Sequence, residues 1–157
     1  MSTVLQIYEA IDRLAPFFLS MDFDNTGILV GDRQKKVERA LLALDCTKEV
    51  LRQAKELGAQ LIITHHPIIF HPIKRVNEDS LVYHLLRSDI AVISAHTNLD
   101  IAQGGVNDLL AKRIGLSDCR GLQPMDAQGT FFLGRVGSLP EGMEPQQFAQ
   151  YLKQRLG

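Results

Sequence analysis

Apolar positions along this chain change their period several times, and each change marks an element. Val4, Tyr8, Ile11 and Leu14 recur at helical spacing behind Ser2 and Thr3, either of which can cap the helix, and Pro16 ends it. The segment FDNTGILVGD reads as a turn, a short strand over residues 28–30, and a second turn through Gly31 and Asp32. A more regular alternation follows. ALLALD is a short apolar run, and Thr47 can cap a helix carrying Val50, Leu51, Ala54 and Leu57, which Gly58 stops. QLIIT is the next strand, DSLVYHLLRS a helix with Leu81, Val82, Leu85 and Leu86 on one face, and IAVISA the strand after it. GGVNDLLAKRIG is a further helix, closed by Gly115. In the tail, GTFFLGRVGSL reads as a strand. EPQQFAQYLKQRLG reads as a helix with Pro145 in its first turn and Phe148, Leu152 and Leu156 on its apolar face.

Strands that alternate with helices, and that are apolar throughout rather than every second residue, predict a sheet buried on both sides. The expected fold is therefore α/β, a three-layer α/β/α arrangement with a mostly parallel or mixed sheet, and residues 1–157 are expected to form a single lobe. Right-handed crossovers put the C-terminal ends of the parallel strands on one edge, where such folds bind ligands.

Polar residues collect at that edge. The first parallel strand ends in Asp45, the second in Thr64, His65 and His66, and the third in His96, with Asp100 four residues on. The stretch LIITHHPIIF sets two histidines in an apolar run, so either both rings are satisfied core groups or the strand ends there and its tip holds something. Adjacent side chains of a regular strand face opposite ways, so the rings converge only if the strand is ending. Pro67 supports that ending, since it cannot donate to a central ladder. Two rings leaving at different angles suit a pair of metal ions, and imidazole with carboxylate favours Zn, Mn, Fe, Co or Ni. His71 and His84 read as an ordinary loop residue and an ordinary helix residue.

Composition narrows the setting. The 157 residues are 45% hydrophobic and 22% charged with a net charge of −1, which describes one globular domain without a field that recruits nucleic acid or an anionic membrane. The cluster RQKKVER is broken by Glu38 and reads as a solvated turn. Cys46 and Cys119 form no CxxC, as expected in a reducing cytoplasm. Cys46, beside Asp45, reads as a small buried thiol rather than a nucleophile. Glu9 and Asp12 interrupt any signal-peptide core, and no segment approaches the ~20 apolar residues of a membrane span. GILVGDRQKK lacks the spacing of a phosphate loop.

The motifs DNTGILVGD, ITHHPIIF, SAHTNLD and GGVNDLLAKRIG, in this order, closely resemble the family of GTP cyclohydrolase 1 type 2 homologs, also known as Nif-three-like proteins. The resemblance is specific from the first helix to about Gly115 and merely compatible beyond it. It implies a fold of two similar lobes, two divalent metal ions in the cleft between them, and a toroidal homo-hexamer. By this resemblance His65, His66 and Asp100 are metal ligands, and His96 lines the cleft as an acid/base or supporting residue. The family pattern adds a late histidine followed four residues later by a glutamate, whereas no histidine follows His96 here. The chain thus reads as the N-terminal lobe of a longer fold, with part of the ligand set. The implied chemistry is metal-dependent hydrolysis of a small molecule, GTP or another nucleotide. The competing expectation is a non-catalytic metal-binding regulatory or protein-interaction module, and the residues do not decide between the two.

Overall fold

In the computed structural model, which describes residues 1–157, the chain opens with a two-residue strand, β1 (Ser2–Thr3), and helix α1 (Val4–Leu14). Thr3 is the cap. Its hydroxyl accepts from the Gln6 amide at 3.1 Å while the Gln6 side chain accepts from the Thr3 amide at 2.9 Å, so the first turn satisfies its own donors. Strands β2 (Gly27–Val30), β3 (Lys36–Val37) and β4 (Ala40–Ala43) follow. Then come helix α2 (Lys48–Glu56), β5 (Leu61–Thr64), helix α3 (Leu81–Arg87) and β6 (Ala91–Ser94). The short β1 and β3 pair with each other.

The main sheet has the order β2-β6-β5-β4. Strands β4, β5 and β6 are parallel and in register, so that Ala43, Thr64 and Ser94 lie level at their ends. Strand β2 runs antiparallel against β6, which makes the sheet mixed. Both faces are covered, as the uninterrupted apolar strands require. On one face Ile62 and Val92 pack with Leu51 and Ala54 of α2 and Leu85 of α3. On the other, Leu61, Ala91 and Ile93 pack with Val4, and Ile7, Tyr8 and Ile11 of α1 flank them. This is the three-layer arrangement, and each fully buried Leu or Ile contributes about 1.5–3 kcal/mol to it. Gly31, just past β2, has φ +98°, and a Cβ there would lie 2.7 Å from the Ala91 Cα. Only glycine lets β2 meet β6 so closely.

The chain divides into two compact units, Met1–Leu99 and Asp100–Gly157. Helix α4 (Thr97–Ile101) runs across the division. The second unit contains helix α5 (Val106–Ile114), strands β7 (Ser117–Pro124) and β8 (Phe132–Ser138), and helix α6 (Pro145–Leu156). Gly115, with φ +80°, closes α5 in the left-handed conformation that a helix stop requires. The expected tail strand is β8. It pairs antiparallel with β7 in a two-stranded sheet of its own, rather than opening another parallel unit of the main sheet. No helix is long and apolar enough to cross a membrane.

Candidate metal centre

The level ends of β4, β5 and β6 deliver the polar residues that follow them to one edge. Thr64 and Ser94 join their hydroxyls at 2.8 Å in the buried interior, pinning the tips of β5 and β6 together. The ladder continues briefly past the strands: the His66 amide donates to the Leu44 carbonyl at 2.9 Å, and the Ala95 amide to the Thr64 carbonyl at 2.9 Å. Pro67 then ends it, as its missing N–H demands.

His65, His66 and His96 come together at this edge, with ligand nitrogens that all lie within 4.8 Å of one another. Ring centroids are 5.1 Å apart for His65–His66 and His65–His96, and 5.6 Å for His66–His96. Each ring is held by an oxygen at Nδ1. His65 Nδ1 lies 3.0 Å from the Ala95 carbonyl, His66 Nδ1 2.7 Å from Asp45 Oδ1, and His96 Nδ1 3.0 Å from Asp24 Oδ1. A carbonyl or carboxylate oxygen only accepts, so Nδ1 donates in all three rings, and in the neutral imidazole the lone pair stands on Nε2. Histidines that bind metal are oriented in this way, through the other ring nitrogen. Three imidazole nitrogens fixed in the ligating tautomer are a donor set that fits a borderline divalent cation.

The most buried of these supports is Asp24, whose side chain has 0% exposure against 21% for His96. Burial would raise its carboxyl. Hydrogen bonds from the Thr97 hydroxyl, His96, and the backbone amides of Thr97 and Asn25 outweigh that and hold it below the ordinary value. Asp24 was not singled out from the sequence. The one signal for it was its place at the head of the motif DNTGILVGD, since its partners His96 and Thr97 lie more than seventy residues on.

Asp45, expected at this edge, is tied to His66. Asp100 lies on α4, four residues beyond His96, and its backbone carbonyl accepts from Asn107 Nδ2 at 2.9 Å. His71 stacks edge-on against Phe70, and His84 sits within α3 beside Tyr83. Burial pushes the Cys46 thiol up to about 11, which leaves it inert as a nucleophile at neutral pH. A groove of about 450 Å³ between α2 and α3 is lined by Lys48, Arg52 and Lys55, but Arg52 is already paired with Glu49 and Glu56.

Fold and site together define an α/β protein with imidazoles gathered at the carboxyl ends of its parallel strands. The chain belongs to the family described as Duf34/NIF3 (NGG1p interacting factor 3), whose profile matches residues 2–157. Among curated relatives, a GTP cyclohydrolase 1 type 2 homolog from Clostridium perfringens is 40% identical over 159 residues, an alignment covering 96% of this chain and 59% of the relative. A protein of the same name from Halalkalibacterium halodurans is 41% identical over 135 residues, covering 83% of this chain and 36% of that one. Among solved structures, Staphylococcus aureus protein SA1388 matches with a TM-score of 0.88 and 29% identity, covering 98% of this chain and 64% of that chain. Reduced HcgD from Methanocaldococcus jannaschii matches with a TM-score of 0.82 and 32% identity, covering 98% and 60%. The chain thus spans well under two thirds of the length of these curated relatives.

Proposed function

We propose that this chain binds divalent metal at the strand edge, with His65, His66 and Asp100 as ligands, and that the site serves a metal-dependent hydrolase. The observation that carries the reading is the gathering of His65, His66 and His96, which each offer a ring nitrogen within 4.8 Å of the others while an oxygen partners each Nδ1. A bound Zn, Mn, Fe, Co or Ni ion supplies Lewis acidity toward a water or a substrate oxygen. The chain does the rest. Ala95 and Asp45 orient His65 and His66, and Asp24 keeps the His96 proton on Nδ1, so that Nε2 is the atom that ligates or takes up a proton. We further propose that the complete site takes two divalent ions and that the protein works as a cytoplasmic homo-hexamer. The name of the relatives puts GTP first among substrates to try.

A second reading is supported by the family description as an interacting factor: a metal-binding regulatory module without turnover. One experiment separates the two. Metal content is measured by elemental analysis on untagged wild-type protein and on His65→Ala, Asp100→Ala and His96→Ala, and GTP turnover is followed by chromatography. Metal lost in the first two variants, with turnover lost in His96→Ala, supports the hydrolase. Stoichiometric metal with no turnover of any nucleotide supports the module, and absence of metal from the wild type overturns both.

A further inference from the structure

Two phenylalanines at the rim of the imidazole cluster are left unexplained by the fold. Phe23 is 63% exposed and Phe70 41% exposed, although Ile68 and Ile69 immediately before Phe70 pack against the core. Their ring centroids are 6.5 Å apart with the planes tilted by 59°. Phe70 in turn stands 6.5 Å from His96, nearly perpendicular at 82°. A single exposed phenylalanine is ordinary. A pair drawn from loops more than forty residues apart and set against a polar cluster is a construction.

The loops are braced to hold that pair. Asn25 Nδ2 donates to the Ile69 carbonyl at 2.6 Å, tying the turn that carries Phe23 to the loop that carries Phe70. Asp24, between Phe23 and Asn25, is locked to His96 and Thr97. Three consecutive residues therefore fix one phenyl ring, one imidazole and the neighbouring loop relative to one another.

We propose that Phe23 and Phe70 form an aromatic platform that receives a planar heteroaromatic ring, whose polar edge meets the imidazole cluster. The part played by the polar edge rests on the reading of that cluster as a reaction site; the platform itself does not. The tilted pair offers π-faces one ring wide, and the adjoining imidazoles reward nitrogen or oxygen on the ring's edge, a combination that heteroaromatic rings supply. Two phenyl groups amount to a small fraction of the ~800 Å² that each side of a stable protein interface buries, so a protein partner is the weaker occupant.

Guanosine and adenosine are the probes, with ribose as the control lacking the ring, measured by equilibrium dialysis against the full chain with and without cobalt. Phe23→Leu and Phe70→Leu keep apolar bulk at exposed positions and remove the π-face, while Phe→Tyr at each position restores it. The platform predicts that each Leu variant binds the nucleosides about fivefold or more weakly, that the Tyr variants match the wild type, and that ribose does not bind. Equal nucleoside binding in wild type and Leu variants, or no nucleoside binding by the wild type in either condition, overturns the platform. Cobalt uptake, followed by its visible absorption, reports separately on the metal reading. Ring-dependent binding without cobalt uptake sinks that reading and leaves the platform standing; cobalt uptake without nucleoside binding does the reverse.

Discussion

Asp24 Oδ1 lies 3.0 Å from His96 Nδ1 across a sequence separation of 72 residues, and the Asp24 side chain is wholly buried. Its carboxylate accepts from His96, the Thr97 hydroxyl and the Thr97 amide, so every neighbour is a donor. Asp24→Asn puts an N–H₂ group among those donors and frees His96 to change tautomer. GTP turnover is expected to fall about 10- to 100-fold, the usual effect of removing the support of a histidine at a metal site. Stability should drop by about 1–3 kcal/mol from the mismatched buried group. Turnover kinetics and a urea unfolding curve read the two effects, and unchanged turnover would refute the role given to His96.

Asp45 supports His66 in the same manner but in water, with the two side chains 54% and 45% exposed. Solvent screens that pair. Asp45→Ala should therefore weaken cobalt binding by less than about tenfold, and should change unfolding free energy by no more than about 0.5 kcal/mol. A larger loss by cobalt titration would mean that solvent does not weaken this support.

Gly31→Ala is expected to destabilise the first unit by about 1–3 kcal/mol, because φ +98° is strained for any side chain. The added methyl would also press on the Ala91 backbone at 2.7 Å, where no flexible side chain can yield. Chemical denaturation measures this. A variant as stable as the wild type would mean that β2 can lift from β6 without cost.

The parallel core was legible in the chain because strands buried on both faces leave continuous apolar runs, and because Thr3, Thr47, Gly58 and Gly115 punctuate the helices between them. The convergence of His65, His66 and His96 followed from that topology once the strand ends were aligned. Strand β7 was not legible: SDCRGLQP is mostly exposed, and Gly121 and Pro124 argue locally against a strand. Helix α4 is five residues long, too short to show a period. Asp24 was not legible because its environment is made by residues that only the folded sheet brings near.

Acid should loosen the second unit through Asp108. The hydrogen bond from Arg135 holds the Asp108 carboxyl below its ordinary value; desolvation opposes this, and the Gly104 amide adds to it. Arg135 engages both carboxylate oxygens, with Nη2 at 3.1 Å from Oδ2. A carboxyl depressed in the folded state contributes stability that is present above its unfolded value, about 3.9, and is lost as pH falls through the folded one. Thermal melts of the whole chain by circular dichroism across that acid range should show a midpoint that declines with falling pH. Asp108→Asn should start lower and decline less. Parallel declines in both proteins would assign the acid sensitivity elsewhere.

Strand β2 closes the main sheet by pairing Gly27 with Ser94, at the far end of the first unit. During synthesis the ribosome delivers β2 long before β6 exists, and at about 5–20 residues per second the wait lasts several seconds. Through that interval the apolar GILV segment has no ladder to join, and Asp24 has no imidazole to hold. The β4–β5 ladder can zip as soon as β5 emerges, whereas the edge that carries Asp24 waits for β6. A nascent chain can therefore own part of its sheet before it owns its site, and the arrival of β6 is what brings Asp24 the imidazole it holds.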